Sequence, residues 1–264
     1  MRKDPRKSFN SQYRPSNQTY RERYGNEKGV YTKPLGEKET NQRIIMNIGI
    51  DVSGSTQELW GEMTDCFNSI MMRSFQQKVE EYRKVLRIGA VVFSEKIVPI
   101  WNGFEDIATV TGSNGSKSRK LTIDIIKQAD NGKTALHQTM IQCLKYSATA
   151  ANYLDSQREM PGNPAKIKIC ILTDGANNMD PLNAEAVRKI TSTITNRRQI
   201  QLVLAYFKTE YGLSFDEFQV MTKNTGFDDE PYYFNQIGGN KEKRARNFRR
   251  FFEIVTGQTS SFIG

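Results

Sequence analysis

Residues 44–55 read IIMNIGIDVSGS, and this stretch decides the fold. Ile44, Ile45, Ile48 and Ile50 make a near-continuous β-branched run, the pattern of a strand covered on both faces in the middle of a parallel sheet. The run stops at Asp51, and Ser53, Gly54 and Ser55 follow at once. A buried strand that ends in a carboxylate and two hydroxyls delivers polar groups to the carboxyl edge of a sheet, which is where open α/β folds gather their binding loops.

Working outward, apolar residues from Thr56 onward (Leu59, Met63, Phe67, Ile70, Phe75, Tyr82, Leu86) recur at steps of three and four, which predicts one long amphipathic helix. Ser55 and Glu58 have the spacing of a capping box at its start. RIGAVVF (87–93) reads as a second buried strand. KIVPIW (96–101) follows after a two-residue turn and carries Pro99, which removes a ladder donor and places this segment on an antiparallel edge. A short helix through Ile123 and Ile126 and a long one with Leu136, Met140, Leu144, Ser147, Ala151 and Leu154 on one face come next, the second ending before Pro161-Gly162. KIKICIL (166–172) is a third strand. Asp180-Pro181 is a helix start, and Ala186, Val187, Ile190 and Ile194 give that helix its inner face. IQLVLAYF (200–207) is another buried strand, followed by a helix at 215–221, a short strand at 232–235 and a terminal helix carrying Phe248, Phe251, Phe252 and Val255. Strands alternating with helices predict a three-layer, doubly wound, Rossmann-like α/β fold: a mostly parallel sheet with one antiparallel edge strand.

The chain has 264 residues, enough for one large α/β domain and an appendage. Residues 1–40 hold ten Lys/Arg against five Asp/Glu and show no helical or strand periodicity, so they read as a disordered basic N-terminal arm, leaving 41–264 as the folded domain. No segment approaches the roughly 18 apolar residues of a membrane-spanning helix, and no apolar stretch follows the basic start as in a secretory signal. Cys66, Cys143 and Cys170 sit in apolar segments without CxxC spacing, which reads as three buried thiols in a cytoplasmic protein.

Three polar fragments fall at, or within reach of, the sheet's carboxyl edge: DVSGS (51–55), NGKTAL (131–136) and LTDG (172–175). They bring Asp51, Ser53, Ser55, Thr134 and Asp174 into one crevice, an all-oxygen set with two carboxylates for charge. Hard divalent cations select such donors, Mg²⁺ first, with Mn²⁺ and Ca²⁺ as alternatives. Each fragment also has a purely structural reading, Ser55 and Thr134 as helix caps and Asp174 as a turn residue. Their joint order favours the metal.

The D-x-S-x-S of Asp51, Ser53 and Ser55, the Thr of Gly132-Lys133-Thr134 and the Asp of Thr173-Asp174-Gly175 resemble the metal-ion-dependent adhesion site of von Willebrand factor A domains. The resemblance covers residues 43–207 and extends to Asn235. It implies Ser53, Ser55 and Thr134 as hydroxyl ligands of Mg²⁺, Asp51 and Asp174 as the charge-balancing pair, and a protein partner that supplies an Asp or Glu to the metal. The expected activity is that of a metal-dependent protein-interaction module of the intracellular type in a cytoplasmic assembly, not of an enzyme. Lys133, Asn177 to Met179 and Lys208 to Tyr211 would set specificity around the metal.

Two other readings stay open. Residues 1–40 and KEKRARNFRR (241–250), each with a net +5, carry the charge excess of the chain and suit nucleic acid or an acidic surface. A metal-dependent hydrolase is the third reading, although Ser53 stands where aspartyl-nucleophile phosphatases place a second acid. His137, the single histidine, reads as a surface or site-rim residue; no G-x-S-x-G accompanies it.

Overall fold

Along each central strand, alternate side chains enter two different cores. Ile44, Met46, Ile48 and Ile50 of β1 (Ile44–Asp51) face one core with Leu86, Ile88, Ala90 and Val92 of β2 (Leu86–Phe93), whereas Ile45 joins Val91 and Phe93 in the other. A sheet that buries both faces needs helices on both, and this period-two partition is why the layers are three. The computed structural model describes residues 43–83, 85–115, 117–129, 132–157, 163–175, 184–227, 231–237 and 239–263. The basic arm, the Asp180-Pro181 cap and the loop Asn177 to Met179 lie outside the described residues.

The remaining strands are β3 (Ile97–Pro99), β4 (Glu105–Asp106), β5 (Lys166–Thr173), β6 (Ile200–Lys208) and β7 (Tyr232–Asn235). They form one seven-stranded sheet in the order β3-β2-β1-β5-β6-β7, with β4 also on β2. The pairs β1–β2, β1–β5, β5–β6 and β6–β7 are parallel; β3 and β4 both run antiparallel to β2. The expected antiparallel edge is therefore present, with a second, two-residue piece that its charged Glu105–Asp106 sequence concealed. β1 lies between β2 and β5, so the DVSGS loop leaves from the middle of the sheet.

The predicted single helix after β1 is a chain of shorter pieces: a 3₁₀ segment Gly54–Leu59, α1 (Trp60–Cys66), a π-helical stretch Phe67–Met71, α2 (Met72–Gln77) and α3 (Val79–Tyr82). Leu86 belongs to β2, not to a helix. The Ser55–Glu58 capping box does not form either. Ser53 is the residue before the first turn, in an extended conformation, and Thr56 Oγ1 donates to its carbonyl at 2.9 Å. The extra residue of a π turn rotates the apolar stripe, which keeps Phe67, Met71 and Phe75 in the core where a uniform 3.6 period drifts away from it.

On the opposite face, α6 (Leu136–Ser156) lies across β1, with Leu136, Met140, Cys143, Leu144, Ala151 and Leu154 in the core. It is joined there by α7 (Ala184–Thr195) and α8 (Phe215–Thr222). The small helices α4 (Ile107–Thr111) and α5 (Ile123–Ala129) and the terminal α9 (Lys241–Ile263) complete the first face. Phe248 of α9 stacks on Phe207 of β6 at 4.7 Å between centroids, and Arg244 reaches Glu62 of α1 at 3.0 Å. The three cysteines are free and buried, as their apolar settings indicated.

α9 is held by an unusual contact. Lys168 of β5 is fully buried, and its Nζ donates to the Val255 carbonyl at 2.9 Å. Lys168→Ala removes that donor and leaves a lysine-sized void under the helix, so the variant is expected to lose about 2–4 kcal/mol of stability. An unchanged urea midpoint would show that α9 docks without this contact.

Candidate metal centre

Register places the site. Asp51 pairs with Phe93 across β1–β2, and Ile50 pairs with Leu172 across β1–β5, so Asp51 and Thr173 end their strands at one level. Thr173 Oγ1 donates to Asp51 Oδ2 at 2.6 Å, and the Ser53 N–H donates to Asp51 Oδ1 at 2.9 Å. That second bond folds the DVSGS loop back on its own aspartate. It leaves Ser53 Oγ and Ser55 Oγ side by side, 3.2 Å apart. Thr56 fixes the loop from beneath, since its hydroxyl bonds the Ser53 carbonyl and takes the Trp60 indole N–H at 3.3 Å.

Gly54 makes no left-handed turn, and its neighbour across the site is the loop before α6. A Cβ built on it would stand 3.4 Å from the Gly132 Cα, so the loop that carries Thr134 lies against DVSGS. The 132–135 segment is anchored to the end of β2: the Ser94 hydroxyl donates to the Lys133 carbonyl, and the Ala135 N–H donates to the Ser94 carbonyl at 3.0 Å. Asp174 follows β5 directly. Gly175 after it has φ +87°, and a Cβ there would meet Phe218 at 2.8 Å, so glycine is required for the chain to turn away with its N–H on Thr173 Oγ1 at 3.0 Å.

Asp51, Ser53, Thr134 and Asp174 are each at most 2% exposed, and Ser55 is partly exposed. Burial, and after it the negative charge of Asp174, push the Asp51 carboxyl up to about 7 from its usual 3.8, against the hydrogen bonds from Thr173 and Ser53 that favour the ionised form. Two buried carboxylates that disfavour each other's charge are the electrostatic complement of a divalent cation. Among the described residues no three His, Cys, Asp or Glu side chains converge, so the donor set is hydroxyls and carboxylates and not an imidazole or thiolate cage. These residues fit a hard cation.

Two residues of this site have no role in holding the carboxylates in the sequence reading, Thr173 and Thr209. Thr209 Oγ1 donates to Asp174 Oδ2 at 3.1 Å and accepts the Gly212 N–H at 2.9 Å. Thr173 stands inside the recognised LTDG fragment and Thr209 inside the Lys208 to Tyr211 segment expected to set specificity, but nothing in either sequence signals a hydrogen bond to a site carboxylate. Of the expected specificity positions, Lys133 and Tyr211 are exposed, whereas Lys208 Nζ donates to the Gly212 and Leu213 carbonyls. His137 is not a rim residue: it is buried, and its Nε2 lies 3.2 Å from the Met221 carbonyl at the end of α8. The basic 241–250 segment forms the first turns of α9, with Lys241, Arg246, Arg249 and Arg250 exposed and Arg244 engaged by Glu62.

No protein-family model matches the chain, and no curated protein matches it in sequence. Solved structures do match. The pilus adhesin SpaC of Lactobacillus rhamnosus GG aligns at a TM-score of 0.53 and 9% identity over 84% of this chain and 31% of its own. Proximal thread matrix protein 1 of the mussel byssus aligns at 0.51 and 12% identity over 83% of this chain and 49% of its own; a second structure of that protein, with a zinc-occupied MIDAS motif, gives 0.48. A von Willebrand factor type A protein of Catenulispora acidiphila gives 0.49 at 15% identity, over 82% of this chain and 43% of its own. The chain thus spans between about a third and a half of the length of these proteins, and at such identities the likeness is one of fold. With SpaC and proximal thread matrix protein 1 the chain shares its fold alone, a mostly parallel sheet between helices.

Proposed function

We propose that the chain is a von Willebrand factor A-like protein-binding module that engages its partner through a divalent cation held at the carboxyl edge of its sheet. What supports the reading is the buried pair of carboxylates, Asp51 and Asp174, with Ser53 and Ser55 side by side next to Asp51 and the loop that carries Thr134 lying against Gly54. Hydroxyl and carboxylate oxygens suit Mg²⁺, with Mn²⁺ and Ca²⁺ as alternatives. When bound, the cation supplies a positive centre that accepts one further oxygen ligand. The chain's own part is to neutralise it incompletely: two carboxylates balance a double charge, but Asp51 already accepts hydrogen bonds on both oxygens and Asp174 on Oδ2, which weakens the negative field each can offer. An Asp or Glu of a protein partner then completes the sphere.

Binding is better supported than catalysis. His137 is committed to the Met221 carbonyl, and Ser53, beside Asp51, carries no charge with which to act as a second acid. A cytoplasmic assembly of the intracellular type is part of the proposal. In its support, Cys66, Cys143 and Cys170 are free thiols, the state a reducing compartment maintains.

The experiment is retention of a partner from cell extract on the immobilised full chain, in Mg²⁺, in Mg²⁺ with about 0.5 M NaCl, and in excess chelator. The expected result is retention that survives salt and is lost in chelator. Retention lost in salt and indifferent to chelator would instead assign binding to the exposed arginines of α9 and the basic arm, with nucleic acid or an acidic surface as the partner.

A further inference from the structure

We infer that Thr209 is a positioning residue of the metal centre, one whose hydroxyl couples the orientation of Asp174 to the loop between β6 and α8. The inference rests on the metal-site reading of Asp174. Thr209 lies just beyond β6 and is 1% exposed, so its hydroxyl has no access to bulk water and its bonding is set by the protein. It has a single proton to give, and that proton goes to Asp174 Oδ2 at 3.1 Å. Its oxygen receives the Gly212 N–H at 2.9 Å, which closes a tight turn over Thr209–Gly212.

Gly212 is part of the same device. A Cβ at this position would stand 2.7 Å from the Asp174 carbonyl oxygen and 2.9 Å from Thr209 Oγ1, so the turn sits directly on the backbone of the metal-site aspartate. The far side of the loop is fastened too, because Lys208 Nζ donates to the Gly212 and Leu213 carbonyls at 3.2 and 2.8 Å, and the Tyr206 hydroxyl also donates to the Leu213 carbonyl. The aspartate is therefore aimed by a loop that is itself held on both sides. The arrangement parallels Thr173, which donates to Asp51 and accepts the Gly175 N–H. Each site carboxylate is braced by a buried threonine, and each threonine is locked by a backbone N–H from the following turn. Groups that orient a metal ligand through a hydrogen bond affect affinity without touching the metal.

The test is Mn²⁺ affinity of the full chain by calorimetry, with thermal melting run alongside, for wild type, Thr209→Val and Thr209→Ser. Thr209→Val keeps shape and removes the hydroxyl, and should weaken Mn²⁺ binding by roughly 10–100-fold, the range for loss of a ligand-orienting hydrogen bond. Thr209→Ser keeps the hydroxyl and should stay within about threefold of wild type, a rescue that a purely space-filling role does not give. Should the valine variant fail to fold, Gly212→Ala serves in its place: it retains Thr209 but forces the turn off Asp174, and the same loss is expected. Wild-type affinity in a folded Thr209→Val or Gly212→Ala protein overturns the inference, as does equal weakening by valine and serine. If wild type itself binds no Mn²⁺, the metal-site reading falls and this inference with it; if wild type binds and the variants match it, only the inference falls.

Discussion

Asp51→Asn is expected to make the metal-free protein more stable above pH 7, while removing its response to Mg²⁺. The Asp51 carboxyl is raised to about 7, first by burial and then by Asp174, so between about pH 4 and pH 7 the folded chain holds a proton that the unfolded chain has released. Stability must then fall as pH rises through that window, because the unfolded state binds fewer protons. The contribution is fully present below about pH 4 and gone above about pH 7. Asparagine keeps the carbonyl that accepts the Ser53 N–H and carries no charge, so the variant escapes the fall. The expected gain over metal-free wild type is on the order of 2–4 kcal/mol at pH 8, or roughly 5–15 °C in Tm, and it should vanish near pH 4. Mg²⁺ should raise the wild-type Tm at pH 8, more weakly below about pH 6 where protons compete, and leave the variant unmoved. Melting curves across pH with and without Mg²⁺ test every element of this expectation; a variant less stable than wild type at pH 8 would contradict it.

The second large effect is on partner binding. Asp51→Ala and Asp174→Ala each remove one of two charges that hold the cation, and the alanine of either variant no longer accepts its threonine's proton. Each should reduce partner retention by about 100-fold or more, since the bridging contact is lost with the cation and not merely weakened. Neither should unfold the chain, because deleting one of two mutually repelling buried carboxylates relieves the metal-free state. Chelator should reproduce both losses in wild type. Undiminished retention by either variant would mean that the partner docks elsewhere on the surface.

The parts of the fold that were legible are those where burial is complete and chemistry simple. β1, β2, β5 and the end of β6 announce themselves as apolar β-branched runs, and Asp51, Ser53, Ser55 and Asp174 lie where two of those runs break, whereas Thr134 stands just ahead of α6. What escaped notice has physical reasons. The helix after β1 reads as continuous because Phe67, Met71 and Phe75 all reach the core, yet the periodicity cannot show that a π turn is what keeps them there. Glu105 and Asp106 look like loop residues, but Glu105 is buried against Arg119 at 2.5 Å, so the pairing with β2 depends on an ion pair fourteen residues apart. His137 reads as polar and rim-bound until α8 supplies the Met221 carbonyl, eighty-four residues away in sequence. Thr173 and Thr209 are ordinary threonines until register sets one beside Asp51 and the following turn sets the other on Asp174. Ligands leave a spacing in the sequence; the groups that aim them leave almost none.

The central claim is that Asp51, Ser53, Ser55, Thr134 and Asp174 hold one divalent cation. Mn²⁺ titrated into the full chain at pH 8, followed by the loss of its free electron-spin-resonance signal, tests this most directly when run beside Asp51→Ala. The account predicts one saturable site per chain in wild type, displaced by Mg²⁺, and none in the variant. No saturable site in wild type, or the same site in Asp51→Ala, would contradict it.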